Sequence, residues 1–316
     1  VSALSGLTQY SDGVYAIDTL HLEAGVDASH LVVHGGRAAF VDCGTALAVP
    51  LLLEALEALK LKRDQVDWLF LTHIHLDHAG GAGTLMEQLP NARVVVHPRG
   101  AAHLVEPEKL IAATIQVYGE AMYRRVFGEM KPIAQQRIVV SSDGLQLSLG
   151  DRPFQFLHTP GHALHHHVIH DSCADSVFTG DVFGVSYRNL DSGTRTFIMP
   201  ATPPTQFDPE QMRASISRIV GLKPAAVYLT HYGRVTGVEQ LASDLFAGID
   251  AYVGIAERYH DDPQREQRMR QEMFDWCASV LDRNGERGDL ASRHHMLDGD
   301  IAINVQGLMH WLGRRG

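Results

Sequence analysis

The chain has 316 residues, 45% of them hydrophobic and 20% charged, enough for one large domain or two modest ones with a sizeable core. The formal net charge of −10 disfavours nucleic acid and anionic membrane surfaces as partners, because phosphate binding needs concentrated Lys and Arg. Cys43, Cys173 and Cys277 are odd in number and widely spaced, which excludes a disulfide framework and fits a reducing, cytoplasmic setting. The opening "VSALSGLTQYSDG" has neither the basic nor the apolar region of a signal peptide, and a start at Val1 rather than Met leaves open that residues precede it. No apolar run is long enough to span a bilayer.

In chain order, "VYAIDTLHL" (14–22) alternates as a strand, and "HLVVHGGRAAFVDCG" (30–44) reads as two strands around a Gly-Gly turn. Residues 49–61 have helical spacing, and "VDWLFLTHIH" (66–75) reads as a buried strand running out into polar residues. A short helix is expected over 81–90, a strand over 92–98, and a helical stretch over 107–130, broken near Gly119. Strands follow at 137–140, 145–149 and 153–158. "HHVIHD" and "DSVFTGD" then pair across a turn around Cys173. Residues 208–221 read as helix, 225–231 as strand and 237–259 as helix. The charged tail from Asp261 is helical, broken at 283–289, and ends in an amphipathic helix over 300–315. The pattern suggests two strand-rich halves with helices packed outside.

The decisive stretch is "LTHIHLDHAGG" (71–81), which places His73, His75, Asp77 and His78 at the end of a strand. Residues two apart in extended chain point to one side, so His73 and His75 can hold one ion. After a turn, Asp77 and His78 can reach a second, and Gly80 and Gly81 permit close backbone approach. Imidazole and carboxylate without thiolate suit zinc first, with iron, manganese or cobalt as alternatives.

"THIHLDHAGG" resembles the T-H-x-H-x-D-H-x-G-G signature of the metallo-β-lactamase fold superfamily. "TPGHALHH" (159–166), "FTGD" (178–181) and "LTHYG" (229–233) follow in the family's order, so the resemblance covers about residues 10–250. It implies an α+β fold, a four-layer αββα sandwich over residues 1–258, with a helical insert at about 107–130 and a C-terminal helical extension over 259–316. It also implies two divalent ions per chain. His73, His75 and His162 would hold the first, Asp77, His78 and His231 the second, and Asp181 would bridge them. Of the five histidines in 162–170, His162 is thus the expected ligand. His166 would face substrate or support the site, His165 stands where the family usually has Gly, and His167 and His170 are ordinary strand residues. Asp42 in "FVDCG" either orients a ligand from behind or caps a turn.

Paired divalent ions activate water at neutral pH and polarise the substrate's oxygen, so hydrolysis is the implied reaction. Asp77, His166 and Tyr187 are the candidate catalytic residues, with Asp77 in the proton-transfer role. No further cofactor is implied. His78 is present and no cysteine falls in a matching motif, which argues against a true β-lactamase. The expected substrate is a small molecule with an apolar portion and a lactone or carboxylic ester bond. Leu110, Ile111, Val117, Tyr118, Met122, Tyr123 and Phe127 of the insert, and Phe197, Ile198 and Met199, either line its pocket or pack the core. The alternatives are a phosphodiesterase or phosphotriesterase, a thioesterase, or a metal-binding signalling effector. The apolar tail face around Ile301, Ile303, Val305, Leu308, Met309 and Trp311 either makes a homodimer or covers the domain.

Overall fold

A computed structural model describes residues 6–193 and 195–315, without the side chains of Val117 and Tyr118. The expected pocket roles of those two side chains, and the first five residues of the segment read as lacking a signal peptide, lie outside the described residues. The chain divides into two compact units. The first comprises the chain up to His158, His165–Gly180 and Thr230–Gly233; the second comprises Thr159–Leu164, Asp181–Leu229 and the chain from Arg234 on. Among the described residues the strands form two sheets, of seven and six strands, with helices, the α+β class expected.

In the first unit, β1 (Leu7–Gln9), β2 (Val14–Asp18), β3 (Ala28–His34) and β4 (Arg37–Val41) form an antiparallel meander. Gly35 and Gly36, at φ 56° and 74°, make the two-residue turn between His34 and Arg37. The chain then crosses over through α1 (Val49–Ala58) to β5 (Val66–Phe70), parallel to β4. One helical turn, α2 (Leu76–Ala79), and α3 (Ala82–Gln88) lead to β6 (Arg93–Val96). Next come α4 (Pro98–Val105), α5 (Glu108–Tyr118) and α6 (Glu120–Val126), then β7 (Ile138–Val140). β5, β6 and β7 pair in parallel, so their ends lie along one edge. The insert is helical and breaks at Gly119 as read, and a further helix, α4, precedes it where the reading ran the strand on to residue 98. Pro98 opens α4, where a proline's missing N–H costs nothing. Leu31, Phe40, Leu52, Leu69, Leu85 and Val94 are among the side chains that bury the helices on this sheet.

β8 (Gln146–Leu149), β9 (Arg152–His158), β10 (His167–Asp171) and β11 (Ser176–Phe178) form a second antiparallel meander. His167 and His170 are strand residues, as read.

In the second unit, α7 (Pro209–Gly221) is capped by Asp208, whose carboxylate accepts from Gln211 N at 3.0 Å. β12 (Ala226–Leu229), β13 (Gly233–Val235) and α8 (Val238–Arg258) follow. α9 (Arg265–Asn284) and α10 (Leu290–Gly313) pack on each other and on α8. Most of the apolar tail face is covered within the chain: Ile301, Val305, Leu308 and Trp311 are buried, while Ile303 is 38% exposed. Phe197, Ile198 and Met199 are buried as well. Among the described residues, no helix is long and apolar enough to cross a membrane.

Candidate metal centre

β5 ends at Phe70, but the chain stays pinned: Leu71 N donates to Val95 O at 3.0 Å, and His167 N to Thr72 O at 2.9 Å. The residues that follow therefore project from a fixed edge. His73 and His75 face each other there, Nε2 to Nδ1 at 2.9 Å. Asp77 and His78 lie in α2. His231, from "LTHYG", joins these two; the ligand atoms of Asp77, His78 and His231 lie within 4.8 Å of one another. Asp77 Oδ2 is 3.8 Å from His78 Nε2 and 3.5 Å from His231 Nε2.

Asp42, just past β4, organises this cluster. One carboxylate oxygen accepts from Thr72 N at 2.8 Å. The other accepts from Thr72 Oγ1 at 2.8 Å, from Thr230 Oγ1 at 3.0 Å and from His78 Nδ1 at 2.8 Å. The reading of Asp42 as an orienting residue thus fits its geometry. Sequence reasoning misses Thr72 and Thr230, yet a signal exists: the triplet Leu-Thr-His occurs at 71–73 and again at 229–231. In both copies the threonine anchors to Asp42 and the histidine is a candidate ligand.

Gly180 has φ 48°, and an added Cβ there would lie 2.6 Å from Thr72 Oγ1 and 2.8 Å from His166 Nε2. "FTGD" therefore needs its glycine for space as well as for backbone angle. His166 is fully buried, its ring 5.0 Å from that of His73, so it packs against a candidate ligand. His165 accepts from Ile74 N at 3.4 Å. Burial, with His75, His97 and His103 nearby, lowers its pKa to about 2, so it is neutral.

In the second unit, the loop carrying His162 is fixed to α7 and its approach. Ser215 Oγ donates to Pro160 O at 2.6 Å, and Asp208 N to Gly161 O at 2.8 Å. His162 Nδ1 donates to Ala201 O at 3.1 Å, while its Nε2 lies 3.4 Å from Asp181 Oδ2. Tyr187 is 4% exposed and its hydroxyl donates to Asp300 Oδ2 of α10 at 2.7 Å. Its proton is committed to a helix contact.

Four of the five candidate imidazole ligands share one pattern, His75 being the exception because its Nδ1 faces His73 Nε2. Each of four imidazoles ties Nδ1 to a protein oxygen: His73 to Thr72 Oγ1, His78 to Asp42, His162 to Ala201 O and His231 to Val26 O. Each then turns Nε2 toward another candidate ligand. A hydrogen bond on one nitrogen fixes the tautomer that presents the other, as metal-binding histidines require. The donor set of imidazole and carboxylate fits divalent metal. Burial would raise the Asp77 carboxyl, but His78 and His231 outweigh it and hold the group well below the usual range.

Two features at this end of the first unit differ from the sequence reading or escape it. The segment after β2 leaves the sheet instead of continuing as a strand to residue 22. Asp18 accepts from Leu20 N at 2.9 Å and from Gly25 N at 2.8 Å, closing a loop in which Leu20 and Leu22 are 52% and 74% exposed. Their φ values, 54° and 63°, are ones that branched side chains rarely adopt. His21, between them, packs against Phe127 with ring centres 5.8 Å apart and the rings tilted, and feels the charges of Asp77, His231 and His78. The second feature is Asp27, fully buried, whose carboxyl burial raises to about 7 against the opposing pull of His231 and His78.

Residues 24–231 match the profile of the Metallo-beta-lactamase superfamily. The metallo-beta-lactamase fold-containing protein ST1585 of Sulfurisphaera tokodaii is 31% identical over 178 residues, 55% of this chain and 63% of that protein. A hydroxyacylglutathione hydrolase of Acidiphilium cryptum is 38% identical over 94 residues, 29% of this chain and 36% of the relative. The human acyl-coenzyme A thioesterase MBLAC2 is 28% identical over 183 residues, 54% of this chain and 63% of the relative. The chain thus spans less than two thirds of the length of these relatives. The crystal structure of a metallo-beta-lactamase family protein from Thermus thermophilus has a TM-score of 0.66 at 20% identity, covering 96% of this chain and 94% of that one. The structure of ST1585 from Sulfolobus tokodaii has a TM-score of 0.65 at 20% identity, covering 95% and 99%. The ordered ligand motifs and the profile match over residues 24–231 make the chain a member of the metallo-beta-lactamase superfamily.

Proposed function

We propose that the protein is a dinuclear metal-dependent hydrolase of an ester-type acyl bond. The observation that carries this reading is the shared tautomer pattern: His73, His78, His162 and His231 each secure Nδ1 and present Nε2. By the family's pattern, His73, His75 and His162 would hold one ion, Asp77, His78 and His231 the other, and Asp181 would serve both. Zinc suits this donor set first. When bound, the ions supply an activated water and polarise the scissile carbonyl.

The chain's own groups do the rest. Asp77, ionised beside two imidazoles, orients the attacking water and takes its proton. Asp42 holds His78 in register, and His166 packs against His73. Tyr187 reaches substrate only by leaving Asp300. The exposed Leu20 and Leu22 flank His21 and offer apolar contact to an acyl group. Thioesters come first among substrates, because relatives are named for hydrolysis of hydroxyacylglutathione and for acyl-coenzyme A thioesterase activity. Carboxylic esters and lactones come next.

The test is turnover of a medium-chain acyl-coenzyme A, an acylglutathione and a long-acyl homoserine lactone by zinc-loaded protein. Hydrolysis of any one, lost at least about 100-fold in Asp181→Asn, supports the reading. Failure of fully metallated protein on all three overturns it.

A further inference from the structure

Asp27 precedes β3 and is held on both sides against a candidate ligand. The carbonyl of Val26 accepts from His231 Nδ1 at 3.0 Å, and Ala28 N donates to Thr230 O at 2.9 Å. The side chain between them is fully buried, neither carboxylate oxygen makes a hydrogen bond of good geometry among the described residues, and Thr19 is the one side chain that helps it by hydrogen bonding, too weakly to offset burial. Thr19 Oγ1 donates to the backbone carbonyl of Asp27 at 3.0 Å. The ionisable groups whose charge reaches the carboxylate are His231, His78 and Asp77, and none of them is a Lys or Arg. A buried carboxylate whose hydrogen bonds and countercharge fall short of its lost hydration is costly. An asparagine would fill the same volume without that cost.

We infer that Asp27 is an outer carboxylate for the ion held by Asp77, His78 and His231. It does not ligate; its negative charge strengthens binding at that position, and the cation supplies the countercharge the carboxylate lacks. Asp27 is therefore a positioning residue for the second ion. It differs from Asp42, which acts through hydrogen bonds and fixes a tautomer. The inference rests on the metal-dependent reading above, and it predicts an asymmetry between the two ions that the reading alone does not.

The experiment is a zinc titration of the full apo chain against a competing chromophoric chelator, with wild type, Asp27→Asn and Asp27→Thr. Wild type is expected to take two ions. Both variants are expected to bind the first with unchanged affinity and the second about 10–100-fold more weakly, the range seen for outer-sphere carboxylates. A purely structural role would shift both affinities together or neither. If either charge-free variant folds, shown by an unchanged apo melting transition, and keeps wild-type affinity for the second ion, the inference is overturned. If wild type binds no second ion, the dinuclear reading fails and takes this inference with it.

Discussion

Two aspartates bracket the β3–β4 hairpin, both buried, and they are satisfied in opposite ways. Asp42, after β4, accepts hydrogen bonds from Thr72, Thr230 and His78. Asp27, before β3, has neither oxygen in a hydrogen bond of good geometry among the described residues. Asp42 is stabilised by the fold itself, so it works whether or not an ion is present. Asp27 is stabilised by the fold only in part, through Thr19 and the nearby His231 and His78, and burial outweighs them, so its charge is best satisfied beside a cation. One end of the hairpin is a finished polar network; the other is a charge waiting for its complement.

The largest break in that contrast is Asp42→Ala. It strands Thr72 N, two threonine hydroxyls and His78 Nδ1 in a buried site, at about 1–3 kcal/mol for each group. A loss of at least about 4 kcal/mol in denaturant unfolding is expected, with loss of the second ion by elemental analysis. Full stability in this variant would mean that the network does not hold the two Leu-Thr-His segments together.

Asp27 predicts the reverse behaviour in apo protein. Its carboxyl moves from 3.8 in a free chain to about 7 when folded. The native state then holds the proton more tightly than the unfolded one. The stabilisation is fully present below the unfolded value near 4, and it is lost as pH rises through about 7. Apo wild type is expected to lose up to about 4 kcal/mol relative to Asp27→Asn between pH 4 and 8. Saturating zinc should reduce that difference. Parallel pH profiles for the two proteins would show that the buried carboxyl is not ionising at all.

A smaller effect tests how tightly the Asp42 network packs on its neighbours. In Gly180→Ala the new methyl meets Thr72 Oγ1 and His166 Nε2 at a backbone angle that L residues disfavour. Thr72 is an Asp42 donor and His166 packs against His73, so the clash enters the network from its far side. A loss of about 1–3 kcal/mol is expected in thermal unfolding.

Most of this architecture is legible in residue patterns. The Gly-Gly turn, the break at Gly119 and the helices of the tail follow from period and local chemistry. The ligand motifs stand out because histidines and aspartates at strand ends have few other reasons to cluster. The rest has no local signature. The alternation in "VYAIDTLHL" continues past Asp18, but the Asp18 carboxylate captures two backbone N–H groups and turns the chain out of the sheet. Asp27 is one acidic residue in "GVDASH", and its importance comes from burial and from the neighbouring Val26 carbonyl meeting His231, about 200 residues away. Tyr187 attracts notice through its spacing after Asp181, which says nothing of the Asp300 carboxylate it meets in the tail.

That last pair extends the comparison to a third carboxylate and gives the smallest expected effect. Asp300 accepts a hydroxyl proton from a residue that is 4% exposed, so like Asp42 it has a partner within the fold. Tyr187→Phe removes one hydrogen bond and leaves the ring packed, which costs about 1–2 kcal/mol because the acceptor is charged. If the hydroxyl only anchors α10, kcat and KM for the best substrate should change by less than about threefold while the melting temperature falls. Asp300→Asn should then change kcat and KM as little and lower the melting temperature less, since the tyrosine proton is still accepted, though by a neutral oxygen. Turnover reduced by about two orders of magnitude or more in Tyr187→Phe, with Asp300→Asn nearly unaffected, would instead mean that the hydroxyl leaves Asp300 and donates to the reacting carbonyl. The ratio of the two variants' rates therefore separates an anchor from an oxyanion donor, whatever either substitution does to stability.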